Sequence, residues 1–289
     1  MRKTLSLLLA TLLVFILCSC GVQVDAPKIS GWTLQEQQTR QVAEGVEYMQ
    51  LTYQDRDGLP YILYVLTVDP NKAVLYTGTV NDSYDLMVPQ GQTVTEQMQK
   101  AEENGIHAVA GINGDFFNTT DSVTSSGYCV KEGRGIRENL KYRPYSAFTN
   151  DGSYMICNGK LDKVDRSSLR TVVGGSHVIV KNGSLYDVDP ESEFGKTPHP
   201  RTLSGVKADG TILLVVIDGR QPELSNGAPL EKCAKIMIAL GAVDAINHDG
   251  GGSSTMVLHS GDTYETVNSP SDGQMRKVYN SILVVPKEN

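Results

Sequence analysis

The sequence predicts an α+β fold, a mixed, largely antiparallel β-sheet with a few packed helices. Three observations carry this. β-rich runs recur with Asn-Gly or Asp-Gly between them, and those dipeptides supply the positive φ that tight hairpin turns require. Two stretches carry helix start and stop signals around an apolar stripe. One run, Ile212 to Ile217, is apolar at every position, as a central strand covered on both faces requires.

The chain opens MRKTLSLLLATLLVFILCSCG, with Arg2 and Lys3 ahead of an apolar run from Leu5 to Leu17. About 13 such residues fall short of the roughly 20 that cross a bilayer core, so the segment reads as an export signal. Leu17, Cys18, Ser19, Cys20 and Gly21 resemble a bacterial lipobox, with Cys20 as the lipid-carrying first residue of the mature chain. The expected division is a lipoprotein signal over 1–19, a tether and short N-terminal segment over 20–48, and one domain over 49–289. Residues 21–45 are polar and Gln-rich, which predicts a spacer followed by a short helix.

Three hairpins are then expected: YQDRDGLPYILYVLTV, turning at Asp57 and Gly58, NDGSYMIC, and VKNGSLYDV. TVTEQMQKAEENG places Thr93 and Glu96 at capping-box spacing and Gly105 at the helix stop. APLEKCAKIMIALG has Pro229 in the first turn, Leu230, Cys233, Ala234 and Met237 on one face, and Gly241 at the end. After the first helix comes AVAGINGD and after the second AVDAINHD, which share Ala, Val, Ile, Asn and Asp at an offset of 134 residues. Each reads as a buried strand ending in Asn-x-Asp, so Asn113, Asp115, Asn247 and Asp249 are expected around one cleft. RTLSGV and TILLVVID face each other across Asp209-Gly210, which places Arg201 and Asp218 at the same end of an antiparallel pair.

Charge and cysteines narrow the function. Without Arg2 and Lys3 the chain has 24 basic and 33 acidic residues, a net charge of −9, which argues against nucleic-acid binding. Beyond the signal only Cys129, Cys157 and Cys233 remain, without CxxC spacing or His partners, which argues against a structural zinc site. A disulfide between Cys129 and Cys157 is compatible with export, and Cys233 sits on the apolar face of its helix.

NHDGGGSSTM, Asn247 to Met256, sets three glycines between a carboxylate and two serines, and continues into a β-rich hairpin. P-loops and dinucleotide folds need a helix there, and their motifs are absent. What remains is a backbone nest, in which the N–H groups of Gly250, Gly251 and Gly252 face an anion, with Ser253 and Ser254 adding donors. Arg201, Arg220 and Arg276 are candidate anion clamps. Asp115, Asp218 and Asp249 can supply an acid and a base, or cap turns and orient the arginines. His199 and His248 have no partner at metal-ligand spacing and read as solvated or supporting groups. No cofactor is required; calcium stays open, with no EF-hand or other ordered oxygen-ligand spacing to place it.

INGDFFN, HPRT, VVIDGRQ, LGAVDAINHDGGGSSTM, NSPSDG and VYNSILVV, in that order, resemble the phosphodiester glycosidase family. The resemblance runs from about Leu51 to Pro286 and is densest after His199. It implies hydrolysis of a sugar-1-phosphodiester of N-acetylhexosamine type, releasing the sugar and leaving a phosphomonoester. The matching positions are Asn113, Arg201, Asp218, Arg220, Asp249, Gly250 to Gly252, Ser253 and Ser254, with Asn268 and Asp272 on a later loop. Asp115, where members often carry Gly, and His248, where many carry an apolar residue, depart from the pattern. For a membrane-tethered protein the implied partners are cell-wall or exopolysaccharide phosphodiesters, with the membrane reached through the lipid. Two alternatives stand beside this: a metal-assisted phosphodiesterase, and a non-catalytic module that binds anionic glycans or takes part in exopolysaccharide assembly.

Overall fold

The computed structural model describes residues 26–138, 140, 143–161 and 164–287. The export signal and Cys20 lie outside the described residues. Every pairing between named strands is antiparallel, so the largely antiparallel expectation is met.

The largest sheet has eight strands, ordered Trp32–Ala43, Val46–Asp55, Pro60–Val68, Ile212–Ile217, Arg201–Lys207, Ala242–Asn247, His177–Lys181 and Ser184–Leu185. Ile212–Ile217 is central and buried at all six positions, as its composition demands. Its two faces feed two cores. Leu214, Val216, Tyr64 and Leu66 pack toward Ala110, Ile112, Met256 and Ile282 of a five-stranded sheet. Leu213, Val215, Ile217 and Leu203 pack under helix Leu230–Ala239, whose buried stripe includes Leu230, Cys233, Ala234 and Met237. That five-stranded sheet is ordered Thr263–Thr266, Met256–Ser260, Ala110–Asn113, Asn280–Pro286 and Ala73–Thr79. Helix Val94–Glu103 covers its far side through Val94, Met98 and Ala101. The layers therefore run helix, sheet, sheet, helix. A second five-stranded sheet, ordered Arg134–Arg137, Cys129–Lys131, Leu169–Gly174, Arg143–Thr149 and Tyr154–Gly159, and a small three-stranded one complete the strands.

The local signals act as their chemistry requires. Thr93 and Glu96 form the full capping box. Asn182 and Gly183 both adopt positive φ, 50° and 72°, in the two-residue turn between His177–Lys181 and Ser184–Leu185. Residues 32–43 overturn the expected spacer and short helix: they form a 12-residue edge strand paired along Val46–Asp55. Its polar composition suits an edge exposed on both faces, where alternation of apolar and polar residues is not required. The Cys129–Cys157 disulfide does not form, and Cys129, Cys157 and Cys233 are free. Two strands separate Cys129 from Cys157 in their sheet, so the pair is about 14 Å apart at ~4.8 Å per strand spacing, twice the reach of a disulfide.

Candidate active site

The site forms where the large sheet and the first five-stranded sheet meet at strand ends. The chain leaves Ala242–Asn247 and Ala110–Asn113 side by side, and Asp249 N–H donates to the Gly114 carbonyl at 3.0 Å. Asn113 closes the same junction: its amide donates to the Asp249 carbonyl at 2.7 Å, and its oxygen accepts from Thr202 Oγ1 at 2.7 Å and from Thr255 N–H at 3.1 Å. Asp249 is thereby held through its own backbone, and its carboxylate is not needed to fix its position. The two Asn-x-Asp ends do converge. Their extended conformation stops at the Asn, so turns, not strand alternation, aim the aspartates.

Asp115 is fully enclosed. It accepts from Gly127 N–H, from Ser125 Oγ at 3.2 Å and from Arg143 Nη2 at 3.4 Å. Burial pushes its carboxyl up to about 6 against the pull of Arg143. Asp249 retains 9% exposure, and burial holds it at about 6 as well. The Ser253 hydrogen bond and the Arg276 charge lower it, while the negative charge of Asp115 raises it further.

The glycine run lies between two guanidinium groups. A β-carbon on Gly251 would sit 3.1 Å from Arg220 Nη2, and one on Gly252 would sit 2.2 Å from Arg276 Nη2 and from both carboxylate oxygens of Asp272. Glycine is needed here for close approach, and at Gly251 also for its φ of 62°. Arg276 bonds Asp272 at 2.6 Å and reaches Ser253 Oγ at 3.4 Å. Arg220 is exposed, contacts His199 Nδ1 at 3.2 Å, and holds a left-handed φ of 60°, a strained conformation for a side chain of its size. Of the expected nest, the Gly251 N–H is taken by the Pro200 carbonyl and the Gly250 N–H turns to the Asp249 carboxylate, while Ser253 and Ser254 N–H bond the Gly250 and Gly251 carbonyls. The guanidinium groups of Arg220 and Arg276 add a cationic surface beside this backbone.

Six other residues singled out from the sequence act inside the protein. Arg201 and Asp218 do share one end of the strand pair, but Arg201 stands across from Ile217, so strand alternation sends Arg201 and Asp218 to opposite faces. Arg201 is buried, donating to the carbonyls of Ala228, Phe194 and Thr197. Asp218 accepts from Tyr64 Oη at 3.0 Å, Asn268 Nδ2 at 2.9 Å and Ser269 N–H at 2.8 Å. Asn268 also bridges the Ser254 carbonyl and Met256 N–H. Ser254 Oγ lies 3.3 Å from Thr202 Oγ1, whose one hydrogen goes to Asn113, so Ser254 is the donor of that pair. His248 is not solvated: it is buried between the Gly174 carbonyl and Ser204 Oγ, and burial lowers it to about 4. Asn247 is buried beside it, bonding Ser176 Oγ and the His248 carbonyl.

Residues that carried no sequence signal line a neighbouring cleft of about 440 Å³: Phe116, Arg143, Ser176, His177, Asp187 and Phe194. Arg143 joins it to Asp115. Phe116 stood within INGDFFN, unexamined beside the aspartate. Arg143 comes from the second five-stranded sheet, His177 from the start of a strand in the large sheet, Phe194 from the short helix Glu193–Lys196, and Ser176 and Asp187 from loops, and no local periodicity aims them at one cleft. Among the described residues, no group of three or more His, Cys, Asp or Glu side chains is placed to hold a metal ion.

A family model for phosphodiester glycosidases matches residues 106–285, more than half of the chain and all of the strand ends described above except the first hairpins. The chain belongs to the phosphodiester glycosidase family. The catalytic domain of zebrafish N-acetylglucosamine-1-phosphodiester α-N-acetylglucosaminidase, solved auto-inhibited by its pro-peptide, superposes with a TM-score of 0.64 at 16% identity, over 89% of each chain. A Burkholderia pseudomallei protein assigned as exported gives 0.69 at 17% identity over 91% of this chain and 100% of its own. A Synechocystis protein of unassigned function gives 0.65 at 14% identity, over 89% of this chain and 68% of that one. At these identities the likeness is one of fold. A prophage-derived protein of Bacillus subtilis is 30% identical over 86 residues, which is 30% of this phosphodiester glycosidase homologue and 13% of that longer relative.

Proposed function

We propose that the protein is an extracytoplasmic lipoprotein hydrolase, anchored through Cys20, that cleaves the glycosidic bond of a sugar-1-phosphodiester from cell-wall or exopolysaccharide material, the sugar being of N-acetylhexosamine type. The observation that carries this is the pairing of Asp249, its carboxyl held near 6, with two guanidinium groups lying against the adjacent glycines. That is a proton-transfer group beside an anion clamp, the two things this hydrolysis requires.

In this reading Arg220, Arg276 and Ser253 hold the phosphate, and Asp272 orients Arg276. Water adds to C1 of the sugar, the C1–O bond breaks, and the phosphomonoester leaves with the bridging oxygen. Asp249 accepts the proton that the water releases. Asp115 does not touch substrate: its buried charge keeps Asp249 basic. A phosphate is a good leaving group once its charge is held, so the clamp matters more than a second acid. Arg201, Asp218, Asn113, Asn247 and Asn268 position the strand ends.

The test is hydrolysis of UDP-N-acetylglucosamine and of the methyl phosphodiester of α-N-acetylglucosamine 1-phosphate in ¹⁸O water, with wild type beside Asp249→Asn. Labelled free sugar from wild type alone is expected. Label in the phosphate instead places the cleavage at P–O and overturns the glycosidase reading.

A further inference from the structure

Six buried side-chain polar atoms among the described residues have no hydrogen-bond partner, and three of them surround one feature: Arg143 Nε, His177 Nδ1 and Asn247 Oδ1. Arg143 and His177 line the 440 Å³ cleft, and Asn247 stands behind it, opposite His177 in the strand register and bonded to Ser176 of the cleft wall. The orientation of the Asn247 amide is fixed by chemistry. Its nitrogen must face the His248 carbonyl at 2.7 Å, so its oxygen is the atom left without a donor. Orphaned buried polar groups are rare in folded proteins, and a cluster of them beside a cavity is what a missing ligand leaves behind.

The cleft also has a direction. It starts at Arg143, which bonds Asp115, and extends past Phe116, His177 and Phe194. The groups assigned to the phosphate, Arg220, Arg276 and Ser253, are not among the residues lining it. That lining, with its one link to the site through Arg143 and Asp115, suits the sugar side of the scissile bond rather than the phosphate side. Its volume falls within the roughly 300–1,000 Å³ of sites that enclose drug-sized molecules, room for two pyranose rings rather than one. Its walls join aromatic rings, on which the C–H face of a sugar packs, with the half-buried Arg143 guanidinium as a donor, while the unpartnered Asn247 oxygen lies buried behind the wall.

We propose that this cleft is a subsite for a second sugar ring, so that the preferred substrate is an oligosaccharyl 1-phosphodiester and the product released is at least a disaccharide. This rests on the glycosidase reading above. The bond broken is the same, and the second ring contributes binding only.

The experiment compares methyl phosphodiesters of N-acetylglucosamine 1-phosphate and of a panel of disaccharide 1-phosphates differing in linkage, on wild type, His177→Ala and Phe116→Ala. The readout is the ratio of kcat/KM for the best disaccharide to that for the monosaccharide, which is insensitive to partial misfolding. Roughly tenfold is expected for wild type, from one or two added hydrogen bonds and a ring contact, falling to about one in both variants. A wild-type ratio near one, or a ratio unmoved by both substitutions, overturns the subsite. If no phosphodiester is hydrolysed, the glycosidase reading fails by itself, and calorimetry with the free disaccharides then decides the subsite. Binding by wild type that His177→Ala abolishes supports it, and no binding of any disaccharide sinks it.

Discussion

Asp218 and Asp249 follow strands of one sheet, on either side of the strand headed by Arg201, and the protein uses them in opposite ways. Asp218 receives three donors from Tyr64, Asn268 and Ser269 and ties the Asn268 loop to the sheet. Asp249 is anchored by its backbone, and its carboxylate takes the Ser253 hydroxyl and the adjacent Gly250 N–H in the field of Arg276 and Asp115. Burial raises the proton affinity of both. What separates a support from a reagent is therefore how many of its polar atoms the fold already occupies, not its position at a strand end.

Exchanging the two carboxylates for amides tests that contrast where it is widest. Asp249→Asn removes the proton acceptor from a site whose other groups stay in place, and kcat/KM for a sugar-1-phosphodiester should drop by about 10²–10⁴. Its melting temperature should hold or rise, because a poorly solvated carboxylate is replaced by a neutral group. Asp218→Asn should do the reverse. The new NH₂ faces at least one existing donor, which costs on the order of 1–3 kcal/mol in urea unfolding, with a far smaller loss of activity per folded molecule. If the two variants lose activity equally, Asp218 is not merely a support.

Much of this contrast was readable from the chain, and the part that was not has a physical cause. The hairpins, the capped helix at Thr93 and the central strand at Ile212–Ile217 follow from local signals, because positive φ, capping and total apolarity each act within a few residues. The shared end of Arg201 and Asp218 followed from topology. Their separation turns on strand parity, since Arg201 pairs with Ile217 and faces the helix-covered core. The Gln-rich strand 32–43 is stabilised by its long pairing with Val46–Asp55, a tertiary contact invisible in a polar composition. Arg143, His177 and Phe194 reach the cleft from a second sheet, from the start of a strand in the large sheet and from a short helix, and nothing local marks them.

A narrower test replaces the neighbour that sets Asp249's proton affinity. In wild type, activity should rise as Asp249 loses its proton near pH 6. Asp115→Asn removes a negative charge and should move that acidic limb to lower pH, with little change on the plateau. Stability carries the matching sign. Both folded carboxyls sit near 6, above the ordinary value near 3.8, so the folded state binds more protons between those pH values. Their contribution is complete below about pH 4 and is lost as pH rises through about 6, and the fall in melting temperature over that window should be shallower in Asp115→Asn.

The smallest expected effect separates two adjacent glycines. Gly252 has no positive φ, and the nearest atoms a methyl group there would meet are the ends of the Arg276 and Asp272 side chains. Those ends can move, so Gly252→Ala should leave stability unchanged or raise it by about 0.4–1 kcal/mol through the unfolded state. The displaced guanidinium should raise KM several-fold with kcat nearly constant, as loss of uniform binding does. Gly251→Ala meets a φ of 62° and should instead lower stability, by about 1 kcal/mol, whatever happens to KM. An unchanged KM in Gly252→Ala would remove Arg276 from the phosphate clamp and leave Arg220 as the cation beside Asp249.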